Sequence, residues 1–371
     1  MTELAVKLKT LRESMARHGL EALRLRGVDW FSWITCGGSN WVILTTETGI
    51  AEVFVTQKNA WILTNSIESK RLKFEELPKG FEIIAPVWSD SVTIEKFVSE
   101  QIPERKRIAS DRPQKGEVGI PADILSAKRQ LLSVEIERYR ELGKSAASAM
   151  TDTLLMAKPE FSERQLAGEL ARLCWQKGIE PTLILVGGES RVEQFRHPLP
   201  TEAKLGRRAM LVLCGRKHGL YANLTRWIYF TSPTPYERQV SERVARVEAA
   251  AFKASRPEVK LSDIFKNIVS AYAENDLAGE ELNHHQGGTT GYLSREEFAR
   301  EENQTELSTN TALAWNPSAV GNKIEDTVLL TELSAPAPDL EKIQIEILTV
   351  DPRWPSFEIE GRRRPDLGYF K

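Results

Sequence analysis

The run Leu282-Asn-His284-His285-Gln-Gly-Gly-Thr-Thr-Gly-Tyr292 constrains this chain more than any other. Glycine accepts backbone conformations and close approaches that other residues refuse, so a histidine pair entering Gly-Gly-x-x-Gly marks a tight backbone passage beside an imidazole. Further on, Gly321-Asn-Lys-Ile-Glu325-Asp326-Thr-Val leads an acidic pair into an apolar strand.

Periodicity organises the rest. Leu4, Leu8, Leu11 and Met15 share one face of a helix over 3–17, closed by His18-Gly19. Short β-like runs follow at 30–35, 40–46, 51–56 and 60–64, then helices near 65–76 and 91–101 and a strand at 107–111. Trp30, Trp33 and Trp41 are expected in the core of this α/β portion. Ser133 is placed to cap a long helix reaching Met156, with Glu135 and Glu137 near its first turn. Another helix spans 162–177. Residues 182–188 read as strand and turn, 209–214 and 224–230 as a hairpin with His218 at its tip, and 234–255 and 261–276 as helices. Short strands and turns complete the chain.

A length of 371 residues suits about two domains. A formal charge of −2 gives no electrostatic reason for a nucleic acid or an anionic membrane as partner. The densest basic run, Arg362-Arg363-Arg364, reads as a solvated end or an ion-pair partner. Cys36, Cys174 and Cys214 are far apart and in no metal spacing, which fits a reducing compartment. With no apolar signal core and no membrane-length apolar run, a cytoplasmic protein is expected.

The order of these features is informative. A long helix, a second helix and a strand lead to His197-Pro198, then to a hairpin ending in Leu224-Thr225-Arg226. Two helices, His285-Gln-Gly-Gly, Asn316-Pro317 and Ile324-Glu325-Asp326 follow. This order resembles the creatinase/aminopeptidase P family over nearly the whole chain. The resemblance implies an α+β protein: an N-terminal α/β creatinase-like domain, residues 1–130, followed by a C-terminal pita-bread domain, residues 133–371. It also implies a homodimer in which the N-terminal domain leans over the neighbouring subunit's active site.

In that family's peptidases two Asp, one His and two Glu hold two metal ions. Carried over residue by residue, the resemblance puts Leu213 and Asn223 at the Asp positions, His285 at the His, and Asn316 and Glu325 at the Glu positions; Tyr292 stands where a further His is usual. One carboxylate of four remains, too little negative charge for two dications. Cys214 is expected to point away from the face carrying the Leu213 position. His285 and Glu325, with His284 beside them, make a poor zinc site, so no metal and no cofactor are expected.

Creatinase itself cleaves a C–N bond without metal, with a His as proton shuttle in a His-Pro setting. The leading expectation is therefore a metal-independent hydrolase or lyase of a small amine, guanidine or dipeptide. His197 would be general acid/base; His285, Glu325 and Asn316 would position substrate and water; Asn223, Arg226, Tyr292 and Arg295 would complete the binding site. Two alternatives stay open: an Xaa-Pro peptidase with two metals, and a non-catalytic binder of peptides or proteins.

Overall fold

The computed structural model describes residues 1–332 and 343–370. The chain divides into two compact units, one of residues 1–134 with 218–220, the other of residues 135–217 and 221–371.

In the first unit, a mixed sheet of order β4-β3-β2-β1-β5-β6 is built from β1 (Ala22–Gly27), β2 (Thr48–Thr56), β3 (Ala60–Leu63), β4 (Glu82–Ile84), β5 (Ile108–Ser110) and β6 (Val118–Gly119). Helices α1 (Glu3–Arg17), α2 (Val28–Ile34), α3 (Ser69–Arg71), α4 (Thr93–Gln101) and α5 (Ala122–Arg129) accompany it. Phe54, Trp61, Val98 and Ile108 pack one face of the sheet, each fully buried apolar side chain contributing about 1.5–3 kcal/mol. Two expected strands are not strands. Residues 30–35 fall largely in α2, because Trp30/Trp33 and Phe31/Ile34 recur at helical spacing and bury together. Residues 40–46 form a turn-rich passage with Val42 and Ile43 exposed.

The second unit begins within α6 (Ser133–Met156), at Glu135; the first helical residue of α6 is Ser133 itself. Ser162 and Gln165 form a capping box ahead of α7 (Glu163–Gln176). Strands β7 (Glu180–Gly188), β8 (Arg208–Lys217) and β9 (Leu220–Tyr229) follow, then α8 (Pro235–Ala254), capped by Thr234 and Glu237, and α9 (Leu261–Glu274). The rest is β10 (Gly287–Thr290), β11 (Glu297–Phe298), β12 (Thr311–Trp315), β13 (Ser318–Ala319), β14 (Asn322–Lys323), β15 (Asp326–Glu332), β16 (Ile343–Ile347), β17 (Ser356–Ile359), β18 (Arg362–Pro365) and β19 (Gly368–Tyr369).

Two sheets, β19-β9-β8-β7 and β11-β10-β12-β15-β16, meet where Thr225 bridges Glu325. Helices α8 and α9 cover one face of the second sheet. Val247, Phe252, Ile264, Ile268 and Tyr272 pack there on Leu313, Trp315, Val328 and Leu330. Strand alternation sends Ala314, Asn316, Glu325 and Thr327 to the other face. Asp326 stays on the helix side. It accepts hydrogen bonds from Arg226 (2.7 Å), Arg364 (2.8 Å) and Thr349, while Arg364 also grips Glu248 of α8 through both carboxylate oxygens.

Candidate functional site

The strand register assembles the site. Trp315 pairs with Asp326 and Gly287 with Trp315, so one step along Gln286, Asn316, Glu325 and Thr225 form a row across four strands. The Asn316 N–H donates to the Gln286 carbonyl at 3.2 Å, as that register requires. The next row holds Gly288, Ala314, Thr327 and Asn223, with the Asn223 N–H on Thr327 Oγ1 at 2.7 Å. Side chains opposite one another in antiparallel strands share a face, so Thr225, Glu325, Asn316 and Asn223 look into one concavity.

Gly287 and Gly288 make this crossing possible. Their φ values are 97° and 151°, and a Cβ would approach the Ala314 carbonyl oxygen to 2.1 Å and that of Glu297 to 2.0 Å. Side chains there would push β10 off its neighbours.

Three imidazoles line the concavity. Arg196 pairs with Glu280, tying the segment before His197 to the short turn before His284. The ring nitrogens of His197, His284 and His285 that face one another lie within 4.8 Å. His284 Nδ1 is 2.6 Å from the His285 carbonyl oxygen, and a carbonyl only accepts, so Nδ1 carries the proton. The neutral His284 ring then offers a lone pair at Nε2, which lies 2.8 Å from His197 Nε2. His197 therefore donates from Nε2 and keeps its Nδ1 lone pair free for chemistry. His284 is the link between the other two.

Glu325 is almost fully buried and held by cations. Arg295 Nη2 reaches Oε1 at 2.5 Å; Lys323 Nζ reaches Oε2 at 3.2 Å, where Thr225 Oγ1 also donates at 3.2 Å. Burial alone would raise this carboxyl, but Lys323 and Arg295 outweigh it and hold it at about 2. Burial pushes His284 down to about 2, with Lys323 adding to the effect, and His285 down to about 4, with Arg295 adding. His197 moves the same way, by burial and then Lys323. All three are neutral at pH 7.

Unfolded imidazoles titrate near 6.5. A base whose folded pKa is depressed contributes stability that is complete above the unfolded value and lost as pH falls toward the folded one. The urea midpoint of the second unit is expected to fall as pH drops from 6.5 through about 4. An unchanged midpoint over that window would mean that the rings are solvated.

Asn223 and Asn316 are at 0% and 1% exposure, and among the described residues their Oδ1 atoms meet no hydrogen-bond donor. Arg226 is not brought to the concavity: it belongs to the helix-side network of Asp326 and the Thr349 carbonyl. Tyr292 is buried with its hydroxyl on Glu135 of α6. Cys214 corrects the expectation of an outward thiol. Burial pushes it up to about 12, and Glu325, Arg295 and Lys323 all act on it, so it faces the site as an unreactive thiol. Lys323 was missed as a site residue, although its i, i+2 spacing from Glu325 already placed both on one strand face.

The metal pair implied by the sequence resemblance does not fit these residues. Glu325 is the single carboxylate of the row and two protein cations already saturate it. Asn223 and Asn316 are neutral, and the net charge of Glu325, Lys323 and Arg295 is +1, which repels a dication.

Comparison with known proteins agrees with the fold. The family model of metallopeptidase family M24 matches residues 137–332, more than half of the chain. An Xaa-Pro dipeptidase of Pyrococcus horikoshii is 23% identical over 348 residues, 88% of this chain and 94% of that protein. Among solved structures, the prolidase of Pyrococcus horikoshii aligns with a TM-score of 0.74 at 17% identity, covering 94% of this chain and 99% of that one. The X-Pro aminopeptidase of Thermotoga maritima aligns with a TM-score of 0.73 at 16% identity, covering 93% and 98%. These likenesses establish the expected architecture: an N-terminal α/β domain followed by a pita-bread domain. No described helix is long and apolar enough to cross a membrane.

Proposed function

The chain belongs to metallopeptidase family M24, and from that premise and the geometry of its site we propose that it hydrolyses a C–N bond of a small amide, dipeptide or guanidine without the metal pair. The observation that carries this reading is the chain His285 carbonyl, His284, His197, set beside a carboxylate that two protein cations already neutralise.

The chemistry follows from the tautomers. His197 Nδ1 accepts a proton from water as the water oxygen bonds to the substrate carbon. The imidazolium formed is steadied by its Nε2–H bond to His284, whose orientation the His285 carbonyl fixes. As the C–N bond breaks, the same proton passes to the departing nitrogen, leaving an acid and an amine from an amide. Glu325 holds Lys323 and Arg295 in place. Asn223 and Asn316 offer buried acceptors to substrate N–H groups.

A panel of Xaa-Pro and other dipeptides, simple amides and guanidino acids, assayed for amine release, tests this. Turnover of at least one member is expected. A panel with no product, while ligands still bind, would replace the hydrolase with the non-catalytic binder.

A further inference from the structure

Lys323 has a larger part in this site than that of an ion-pair partner. The two-residue strands β13 and β14 pair Ser318 with Lys323 and Ala319 with Asn322, around Gly321 at φ 70°. That hairpin delivers a lysine side chain that is only 6% exposed into the concavity. A buried ammonium has three donors, and among the described residues one carboxylate oxygen, Glu325 Oε2, meets it. Arg295 occupies the other oxygen of the same carboxylate. Two cations thus share one anion, and a positive charge is left over.

We infer that Lys323 is the resident cation of this site: its ammonium excludes divalent metal ions and stabilises the oxyanion that forms on the substrate's carbonyl oxygen. This rests on the hydrolytic reading above. When water adds to the carbonyl carbon, the C=O electron pair moves onto oxygen and its proton goes to His197; the spare N–H groups of Lys323 face that new negative charge. Collapse returns the electron pair, breaks the C–N bond and transfers the proton to the amine. The charge of Lys323 acts on all three imidazoles and on Cys214. The unmatched Oδ1 atoms of Asn223 and Asn316 ask for N–H donors. A ligand with an N–H and an adjacent oxygen completes both sets. A guanidinium brings a second positive charge and no oxygen, so amides are the favoured class.

Four proteins test the inference: wild type, K323M, K323R and the triple variant N223D/N316E/K323M. Calorimetric titration with Mn²⁺ or Zn²⁺ alone should show no stoichiometric binding to wild type or K323R, and binding to the triple variant. NMR titration should show the imidazole pKa values rising in K323M, a shift that requires no turnover. With an amide substrate, K323M should lose about 10²–10³ in kcat with little change in KM, as removal of an oxyanion donor does, and K323R should recover part of it. Stoichiometric metal on wild type, or a K323M that keeps its kcat, overturns the inference. If no substrate is turned over, the hydrolytic reading fails by itself, while the metal and NMR titrations still decide whether Lys323 is the resident cation. Glu325 stays paired with Arg295 in K323M, and circular dichroism confirms that each variant is folded.

Discussion

His197→Ala should lower turnover by about 10²–10⁴-fold, the range lost with a general acid/base. The loss should fall on kcat, because His197 moves the proton and does not hold the ground-state substrate. The fold should survive, since the ring is exposed and, among the described residues, its hydrogen bond runs to His284. Added imidazole should restore part of the activity, which a merely structural role would not allow. His284→Gln should be milder, because it removes the group that orients His197 and leaves the base itself. Steady-state kinetics on both variants decide the matter. Unchanged turnover in His197→Ala would remove His197 from the mechanism.

Asp326→Ala should have the largest effect on stability. Asp326 is fully buried, and its carboxylate answers Arg226, Arg364 and Thr349 at once. Without it, among the described residues, Arg226 is a buried cation with carbonyl partners and Arg364 keeps Glu248 as its carboxylate. Breaking a buried pair in this way costs about 3–5 kcal/mol, or roughly 6–20 °C in thermal midpoint for a unit of this size. Differential scanning calorimetry reads it directly. A midpoint that does not move would mean that water, not Asp326, compensates the two arginines.

These two neighbours, Glu325 and Asp326, show how much of the molecule was legible beforehand. Alternation along Ile-Glu-Asp-Thr-Val puts them on opposite faces, so one had to serve the concavity and the other the core under the helices. The helices over 3–17, 133–156 and 234–255 were readable because their apolar spacing agrees with the tertiary burial, although Ser133 opens its helix as a helical residue and does not cap it. That Asn223, Asn316 and Glu325 share one face followed from the resemblance carried by the order of motifs. Trp30-Phe-Ser-Trp-Ile was misread because aromatic residues favour strands on average, while the i, i+3 repeat in this run decides for a helix.

Other features depended on distances that no local pattern encodes. The contact between His284 and His197 joins residues 87 positions apart, and the Arg196–Glu280 pair ties together the segments that carry them. Cys214 lies close enough to Glu325, Arg295 and Lys323 for their charges to act on it, which the Leu-Cys-Gly resemblance did not suggest. Arg226 and Tyr292 looked like binding residues in sequence, yet each spends its polar atoms on a buried partner, Asp326 or Glu135. A polar residue near a motif is not thereby in the site; its hydrogen-bond partners decide.

The central claim is that this member of family M24 works with protein cations in place of metal ions. The most direct measurement is elemental metal content of the purified protein, before and after incubation with Mn²⁺ and Zn²⁺, with turnover assayed in a chelator alongside. The account predicts no stoichiometric metal and turnover indifferent to the chelator. About two metals per chain, with activity that vanishes on chelation, would contradict it and make the protein a two-metal peptidase.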